Sequence, residues 1–71
     1  MRLELIQLRN KKWQGRAYVP GKEREVREFS DKSRAESWLR EFSDEEPIRE
    51  GKVLSQTREV IRYTDGTEAE A

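Results

Sequence analysis

The feature that most constrains this 71-residue chain is one amphipathic helix, predicted over residues 31–42. Four apolar residues recur there at the i, i+3, i+4, i+7 spacing of a single helix face. They are Ala35, Trp38, Leu39 and Phe42. Asp31 is a favourable N-cap, and the polar run that ends at Pro47 stops the helix. A lone helix with one apolar face needs a second layer to cover it, so the rest of the chain must supply a sheet.

Two predicted hairpins precede the helix. Residues 2–8 are interpreted as a strand, followed by the polar turn at residues 10–12 and a second strand at residues 13–19. Pro20-Gly21 is a strong turn signal, and residues 24–29 are interpreted as a third strand. A strand of five to six residues is about as long as a helix of twelve, roughly 18 Å, so the helix fits across one face of this sheet.

The second strand alternates cleanly between two faces. One face carries Trp13, Gly15, Ala17 and Val19, and the other carries Gln14, Arg16 and Tyr18. The small side chains between Trp13 and Val19 allow the helix to lie close against that first face. The third strand has an ambiguous phase, because Val26 points away from the core if Phe29 points into it; a bulge or a twist at the strand end could resolve the conflict.

The last third of the sequence is ambiguous between helix and strand. Apolar positions within residues 52–63 could form a helical stripe, but their β-branched and aromatic content favours a strand at about residues 58–63. The predicted fold is therefore α+β, a three-stranded antiparallel sheet packed on one helix with an extra C-terminal strand. We expect a single domain at residues 1–66 and a flexible tail at residues 67–71. The predicted core comprises Trp13, Ala17, Val19, Phe29, Ala35, Trp38, Leu39 and Phe42.

Composition argues against catalysis. The chain has neither cysteine nor histidine, which removes disulfides, thiolate metal sites and the commonest general base. No phosphate-binding loop or nucleophile motif is present, and the acidic run at residues 44–46 is expected to be a solvated helix end rather than a cation site. The N-terminus lacks an apolar signal region, and no stretch approaches the length of a membrane span. We therefore expect a cytoplasmic, non-enzymatic domain with no cofactor, no membrane partner and no small-molecule substrate.

The zero net charge hides an uneven distribution. Residues 1–27 carry eight Lys or Arg against three Glu, whereas residues 28–50 carry four against eight acidic residues. The outer face of the second strand presents an amide, a guanidinium and a phenol at its centre, and three lysines and a further arginine lie at its two ends. Such groups can contact phosphates and base edges. The predicted DNA-binding residues are Lys11, Lys12, Gln14, Arg16, Tyr18, Lys22 and Arg24.

A family resemblance supports this interpretation. The run from Lys12 to Lys22, then Phe29, Asp31-Lys32 and the segment from Ala35 to Leu39, resembles the arm-type DNA-binding domain of phage and mobile-element tyrosine integrases. The resemblance covers residues 3–42 and implies a three-stranded sheet that enters the major groove of duplex DNA. The sequence departs from the family in having Asp31 where a threonine is usual, and because these 71 residues do not include the catalytic domain of the integrases, we expect no recombination by them.

An alternative function remains open at this point. The chain could be a small phage-type protein-interaction domain, an accessory or an inhibitor, that binds a protein partner through the same sheet face or through an edge strand near residues 58–63. Edge strands recruit extended partners by adding them to the sheet. The neutral net charge favours this alternative, because DNA-binding domains are usually basic.

Overall fold

A computed structural model describes residues 1–54 and 60–70 of the chain. The elements within these residues are β1 (Arg2–Gln7), β2 (Trp13–Tyr18), β3 (Glu25–Phe29), α1 (Lys32–Arg40), β4 (Ile48–Val53), β5 (Val60–Tyr63) and β6 (Glu68–Glu70). The six described strands form one sheet in the order β3-β2-β1-β4-β5-β6. Neighbouring strands are antiparallel except β1 and β4, which run parallel.

The predicted three-stranded antiparallel sheet is therefore wrong. Its three strands exist and pair as two hairpins, but they form only one half of a mixed sheet. From β3 the chain crosses one face of the sheet through α1 and returns as β4 beside β1, in the register Leu3 to Ile48. A parallel neighbour requires a crossover of this kind, and α1 supplies it.

Helix α1 begins where the sequence predicts, but it ends at Arg40 and not at the predicted residue 42, with Glu41 as its C-cap. Asp31 adopts an extended backbone conformation, and its side chain accepts a hydrogen bond from the Arg34 N–H at 2.8 Å. This bond satisfies one of the backbone donors that every helix leaves free at its N-terminus. The Lys32 ammonium lies 3.1 Å from the Glu50 carboxylate, so the first turn of α1 is also tied to β4.

The main core lies between α1 and the sheet, as predicted. Its fully buried members are Leu3, Leu5, Ala17, Ala35 and Leu39, with Trp13, Phe29, Trp38, Phe42 and Ile48 packed against them and partly exposed. Val19 was expected in this cluster but does not belong to it, because β2 ends at Tyr18. Gly15 is needed here: a Cβ at this position would lie 2.8 Å from Cε3 of Trp38.

Strand β3 resolves the phase conflict without a bulge. Phe29 pairs with Trp13 on the face that α1 covers, and Val26 pairs with Arg16 on the opposite face. The side chain of Val26 is simply exposed there, at 41%. No strand lies on the outer side of β3 among the described residues, so β3 is one edge of the sheet.

The C-terminal third forms a three-stranded meander. The strand favoured at residues 58–63 is confirmed where it is described, as β5 at residues 60–63; residues 58 and 59 lie outside the described ranges. β5 is not an edge strand, because β4 and β6 flank it, so the predicted binding edge near residues 58–63 is wrong. Residues 68–70, expected within a flexible tail, pair with β5 as β6, and Ala71 lies outside the described residues.

The helix-free face of the sheet has a small apolar core of its own. Ile6, Ile61 and Tyr63 are buried there, with Val53 packed against them. Gly51 lies beneath this cluster, since a Cβ on it would come within 2.8 Å of the Ile61 side chain. One cavity on this face is lined both by Arg24, which precedes β3, and by Ala69 of β6. β3 and β6 are opposite edges of the sheet, so the sheet must curve to bring them to one cavity. The helix-free face is therefore concave.

Candidate nucleic-acid interface

The predicted binding face of β2 is the helix-free face. In the antiparallel ladder with β1, Gln14 lies opposite Ile6, Arg16 lies opposite Glu4 and Tyr18 lies opposite Arg2. Because paired residues in an antiparallel ladder share a face, these six side chains lie together. The alternation read from the sequence is confirmed, since Gly15 on the other face contacts α1.

Arg16 was expected to be solvent-exposed, and this expectation is wrong. Its relative exposure is 6%, and its Nε donates a hydrogen bond to Oε1 of Gln14 at 2.7 Å. The physical reason is the extra half of the sheet. β2 is an interior strand of a concave surface, so its central side chain points into a hollow instead of outward from a flat three-stranded sheet.

Glu4 lies at the centre of this hollow, although it was not among the predicted site residues. Its relative exposure is 2%, and its two carboxylate oxygens accept hydrogen bonds from the hydroxyls of Tyr18 at 3.3 Å and Tyr63 at 3.2 Å. Arg2 Nε lies 3.7 Å from the same carboxylate. A buried carboxylate needs such donors, because an unpaired charge in this position would be strongly destabilising.

The neighbourhood of Glu4 alters the chemistry of Tyr63. Burial, followed by the charge of Glu4 and the hydrogen bond to it, raises the pKa of the Tyr63 hydroxyl above its ordinary value of 10.0. The phenol therefore stays neutral and keeps donating to Glu4 across the physiological pH range. Tyr63 and Glu4 are 59 residues apart in the chain, so the bond fixes β5 against β1.

Four arginines surround the same hollow, which has a volume of about 270 Å³. Among the described residues that line it, the charged groups are the guanidiniums of Arg2, Arg16, Arg24 and Arg49 and one carboxylate, that of Glu4. We call these four side chains the arginine cluster. An excess of guanidinium over carboxylate in a concave polar site favours an anionic ligand.

Aromatic rings hold two members of the arginine cluster in place. The Arg2 guanidinium lies 4.1 Å above the centroid of the Tyr18 ring, and that of Arg49 lies 3.6 Å above the Tyr63 ring. Arg49 also lies 3.4 Å from the Asp65 carboxylate and donates to the Thr67 hydroxyl. Stacking restricts both side chains before any ligand arrives, which lowers the entropy cost of binding one.

The remaining predicted residues do not all gather at this hollow. Arg24 reaches its rim, and Lys22 is exposed in the turn between β2 and β3. Lys12 and Lys11 lie in the turn at the other end of β2, where Lys11 has a positive φ of 68°. A six-residue strand separates the two ends by roughly 20 Å. The predicted set is therefore divided into a group at the hollow and a lysine pair at the far end.

Similarity to known proteins gives no further guide to this site. Comparison with protein-family models, curated proteins and solved structures finds no match. Over residues 1–54 and 60–70, no cluster of acidic residues could hold a metal ion, and α1 is too short and too polar to cross a bilayer. The resemblance to integrase arm domains consequently depends on the quoted residues alone.

Proposed function

We propose that this chain is a non-catalytic DNA-binding module that applies its helix-free face to duplex DNA. The observation that carries the proposal is the arginine cluster around one concave site with a single lining carboxylate. The guanidinium group matches the geometry of a phosphate oxygen pair and keeps its charge at all physiological pH values. The resemblance to integrase arm domains points to the same face and to a phage or mobile-element origin. We also propose a cytoplasmic location.

The structure changes the roles that we assign within the predicted site. Arg16 is held by Gln14 inside the hollow, so we assign it to the supporting wall of the site rather than to reading base edges. Arg2 and Arg24 are exposed at the rim and are the proposed phosphate contacts, together with Lys22 in the adjoining turn. Lys11 and Lys12 would contact the backbone further along the duplex.

Net charge alone does not argue against this assignment, because the charges are segregated. Residues 1–27, which are basic overall, form β1, β2, the turns around them and most of β3, whereas residues 28–50, which are acidic overall, form the end of β3, α1, the loop after it and the start of β4. A duplex that approaches the helix-free face meets the arginine cluster first. The acidic side chains in and beside α1 lie on the far side of the sheet, where they would orient the domain on the DNA.

The test is a titration of labelled duplex DNA, followed by fluorescence anisotropy at several salt concentrations. Phosphate contacts by the five cations assigned to the DNA backbone predict that log K falls with log salt at a slope of about −4.5. Arg24→Ala should weaken binding to all sequences and make the slope shallower by about one. The matched control is Arg34→Ala, since Arg34 is an exposed arginine on α1, away from the helix-free face.

Two results would contradict the proposal. One is the absence of binding at low salt by a protein that circular dichroism shows to be folded. The other is an equal effect of Arg24→Ala and Arg34→Ala, which would indicate nonspecific attraction by any surface cation. Either result would favour the alternative function, a protein-interaction domain, for which the exposed edge β3 would be the contact.

A further inference from the structure

The edge strand β3 carries charged side chains that have no ion-pair partner among the described residues, although the Arg27 guanidinium lies 5.5 Å from the centroid of the Phe29 ring. The side chains of Glu25, Val26, Arg27 and Glu28 are exposed, and none of the three charged ones forms an ion pair with a residue of 1–54 or 60–70. Val26 is also one of the few large apolar side chains that are exposed in the described structure. An unpaired edge with an exposed apolar residue is a template for another strand.

The backbone phase of β3 can be read from the sheet register. The Leu8 N–H donates to the Lys12 carbonyl at 2.8 Å, which makes residues 8 and 12 a hydrogen-bonded pair. Alternation along the ladder then directs the backbone groups of Gly15 toward β3 and those of its partner Arg27 toward β2. The backbone groups of residues 24, 26 and 28 consequently face outward, away from the sheet.

We propose that β3 pairs antiparallel with β3 of a second copy of this chain, about a twofold axis at Val26. In this register Val26 lies opposite the partner's Val26, so the two exposed apolar side chains cover each other. Glu25 lies opposite the partner's Arg27, and Arg24 lies opposite the partner's Glu28. The outward backbone groups of residues 24, 26 and 28 meet their equivalents and form about six hydrogen bonds.

Charge complementarity selects this register over its neighbours. Two copies of β3 can form a ladder only if residues with outward-facing backbone groups lie opposite residues of the same kind. The twofold axis must therefore pass between two copies of the same residue. An axis at Glu25 opposes two glutamates, and an axis at Arg27 opposes two arginines; like charges directly opposite each other destabilise a sheet. The axis at Val26 instead creates four pairs of opposite charge by symmetry, which suppresses other pairings of the same edge.

The inference does not rest on DNA binding, although Arg24 takes part in both proposals, and its test uses the face that DNA does not contact. Glu25 and Arg27 lie on the α1 side of the sheet, away from the arginine cluster. Sedimentation of the full chain from about 10 µM to about 1 mM should show a reversible monomer–dimer equilibrium. Glu25→Arg and Arg27→Glu should each raise the dimer Kd by about 10- to 100-fold, because each places two like-charge pairs across the axis.

Mixing the two variants gives the decisive measurement. A heterodimer of Glu25→Arg with Arg27→Glu pairs two arginines of one chain with two glutamates of the other, so the 1:1 mixture should dimerise at concentrations at which each variant alone is monomeric. Circular dichroism of each variant confirms folding. A parent protein that stays monomeric at about 1 mM, or a dimer that neither substitution weakens, would overturn the inference. A monomer that captures an extended peptide on β3 would assign this edge to a different partner.

Discussion

Replacement of Gly15 by alanine tests the close contact between β2 and α1. A Cβ at this position would lie 2.8 Å from Cε3 and 2.9 Å from Cζ3 of Trp38. Carbon atoms prefer separations of about 3.5–4.0 Å, so the overlap is roughly 1 Å and Trp38 or the helix must move. Trp38 is held by Phe29 at a ring distance of 5.8 Å and by Phe42 at 5.0 Å, which leaves little freedom to move.

The expected loss follows from two opposing contributions. Overpacking of a core costs about 1–3 kcal/mol, and the removal of glycine flexibility from the unfolded chain returns about 0.4–1 kcal/mol. We therefore expect Gly15→Ala to lower the free energy of unfolding by about 1.5 kcal/mol. With a urea m-value of about 1 kcal/mol/M for a domain of this size, the unfolding midpoint should fall by about 1.5 M.

Urea denaturation monitored by tryptophan fluorescence measures this change. The control is Ser37→Ala, an exposed position on α1 next to Trp38, which should leave the midpoint unchanged or slightly higher because alanine favours helix. Addition of Trp38→Phe to Gly15→Ala should recover part of the loss by making room for the methyl group. A Gly15→Ala protein at least as stable as the parent would refute the close packing described here.

Three further predictions concern the core, the Glu4 network and the last turn. Trp38→Ala should cost about 3–5 kcal/mol and unfold most of the protein, so cooperative melting near the parent temperature would contradict the core assignment. The Tyr63 hydroxyl should ionise above its ordinary pKa of 10.0, because the fold favours the neutral phenol. The contribution of this phenol to stability is therefore complete below pH 10 and is lost as the pH rises through the folded-state pKa. Absorbance of the phenolate during alkaline titration measures this, with Tyr63→Phe as the control, and ionisation of both tyrosines at or below pH 10 would count against the buried network. Asp65 accepts hydrogen bonds from the Thr67 hydroxyl and N–H, and these bonds lower the pKa of the Asp65 carboxyl below 3.8. The stability that these bonds contribute is present above pH 3.8 and is lost as the pH falls through the folded-state pKa. Amide exchange in β6, corrected for its intrinsic rate, should accelerate at that pH, and Asp65→Ala should reproduce the effect at neutral pH.

The elements that the sequence predicts correctly are those with local signals. Asp31 and the apolar positions Ala35, Trp38 and Leu39 define α1, and the turns near Lys11 and Gly21 define the two hairpins. Each signal lies within a few residues of the structure that it determines. The close approach of α1 to Gly15 also follows from local alternation, because the small residues share one face of β2.

The missed elements depend on contacts between distant parts of the chain. β4 contains the sequence Ile-Arg-Glu-Gly-Lys-Val, in which charged residues and a glycine hide the strand pattern. Glu50 can occupy this strand because its carboxylate pairs with Lys32 of α1, Lys52 because its side chain is exposed, and Gly51 is required by the side chain of Ile61 above it. β6 is Glu-Ala-Glu, which has no intrinsic strand preference and depends on pairing with β5.

The candidate site was predicted only in part, because it too depends on contacts between distant parts of the chain. The face that carries Gln14, Arg16 and Tyr18 follows from alternation along one strand, but its burial does not. Arg49 and Tyr63 come from strands that pair with the first half only through β1. The alternation of Leu3 and Leu5 with Arg2 and Glu4 was a usable signal, since it places the two charged residues on the face opposite the core.

The parallel pairing of β1 with β4 has a consequence for how the chain folds. β1 obtains one neighbour from the adjacent hairpin and the other from residues 45 positions away, at Leu3 and Ile48. Local hairpins close within microseconds, whereas pairing across such a separation must first overcome a large loss of chain entropy. We therefore expect the first three strands and the helix to assemble before β4 pairs, with one side of β1 unpaired and Ile6 uncovered during that interval. An early species of this kind is the one most prone to associate wrongly with other chains, so the yield of refolding should fall with protein concentration more steeply than the stability of the finished fold suggests.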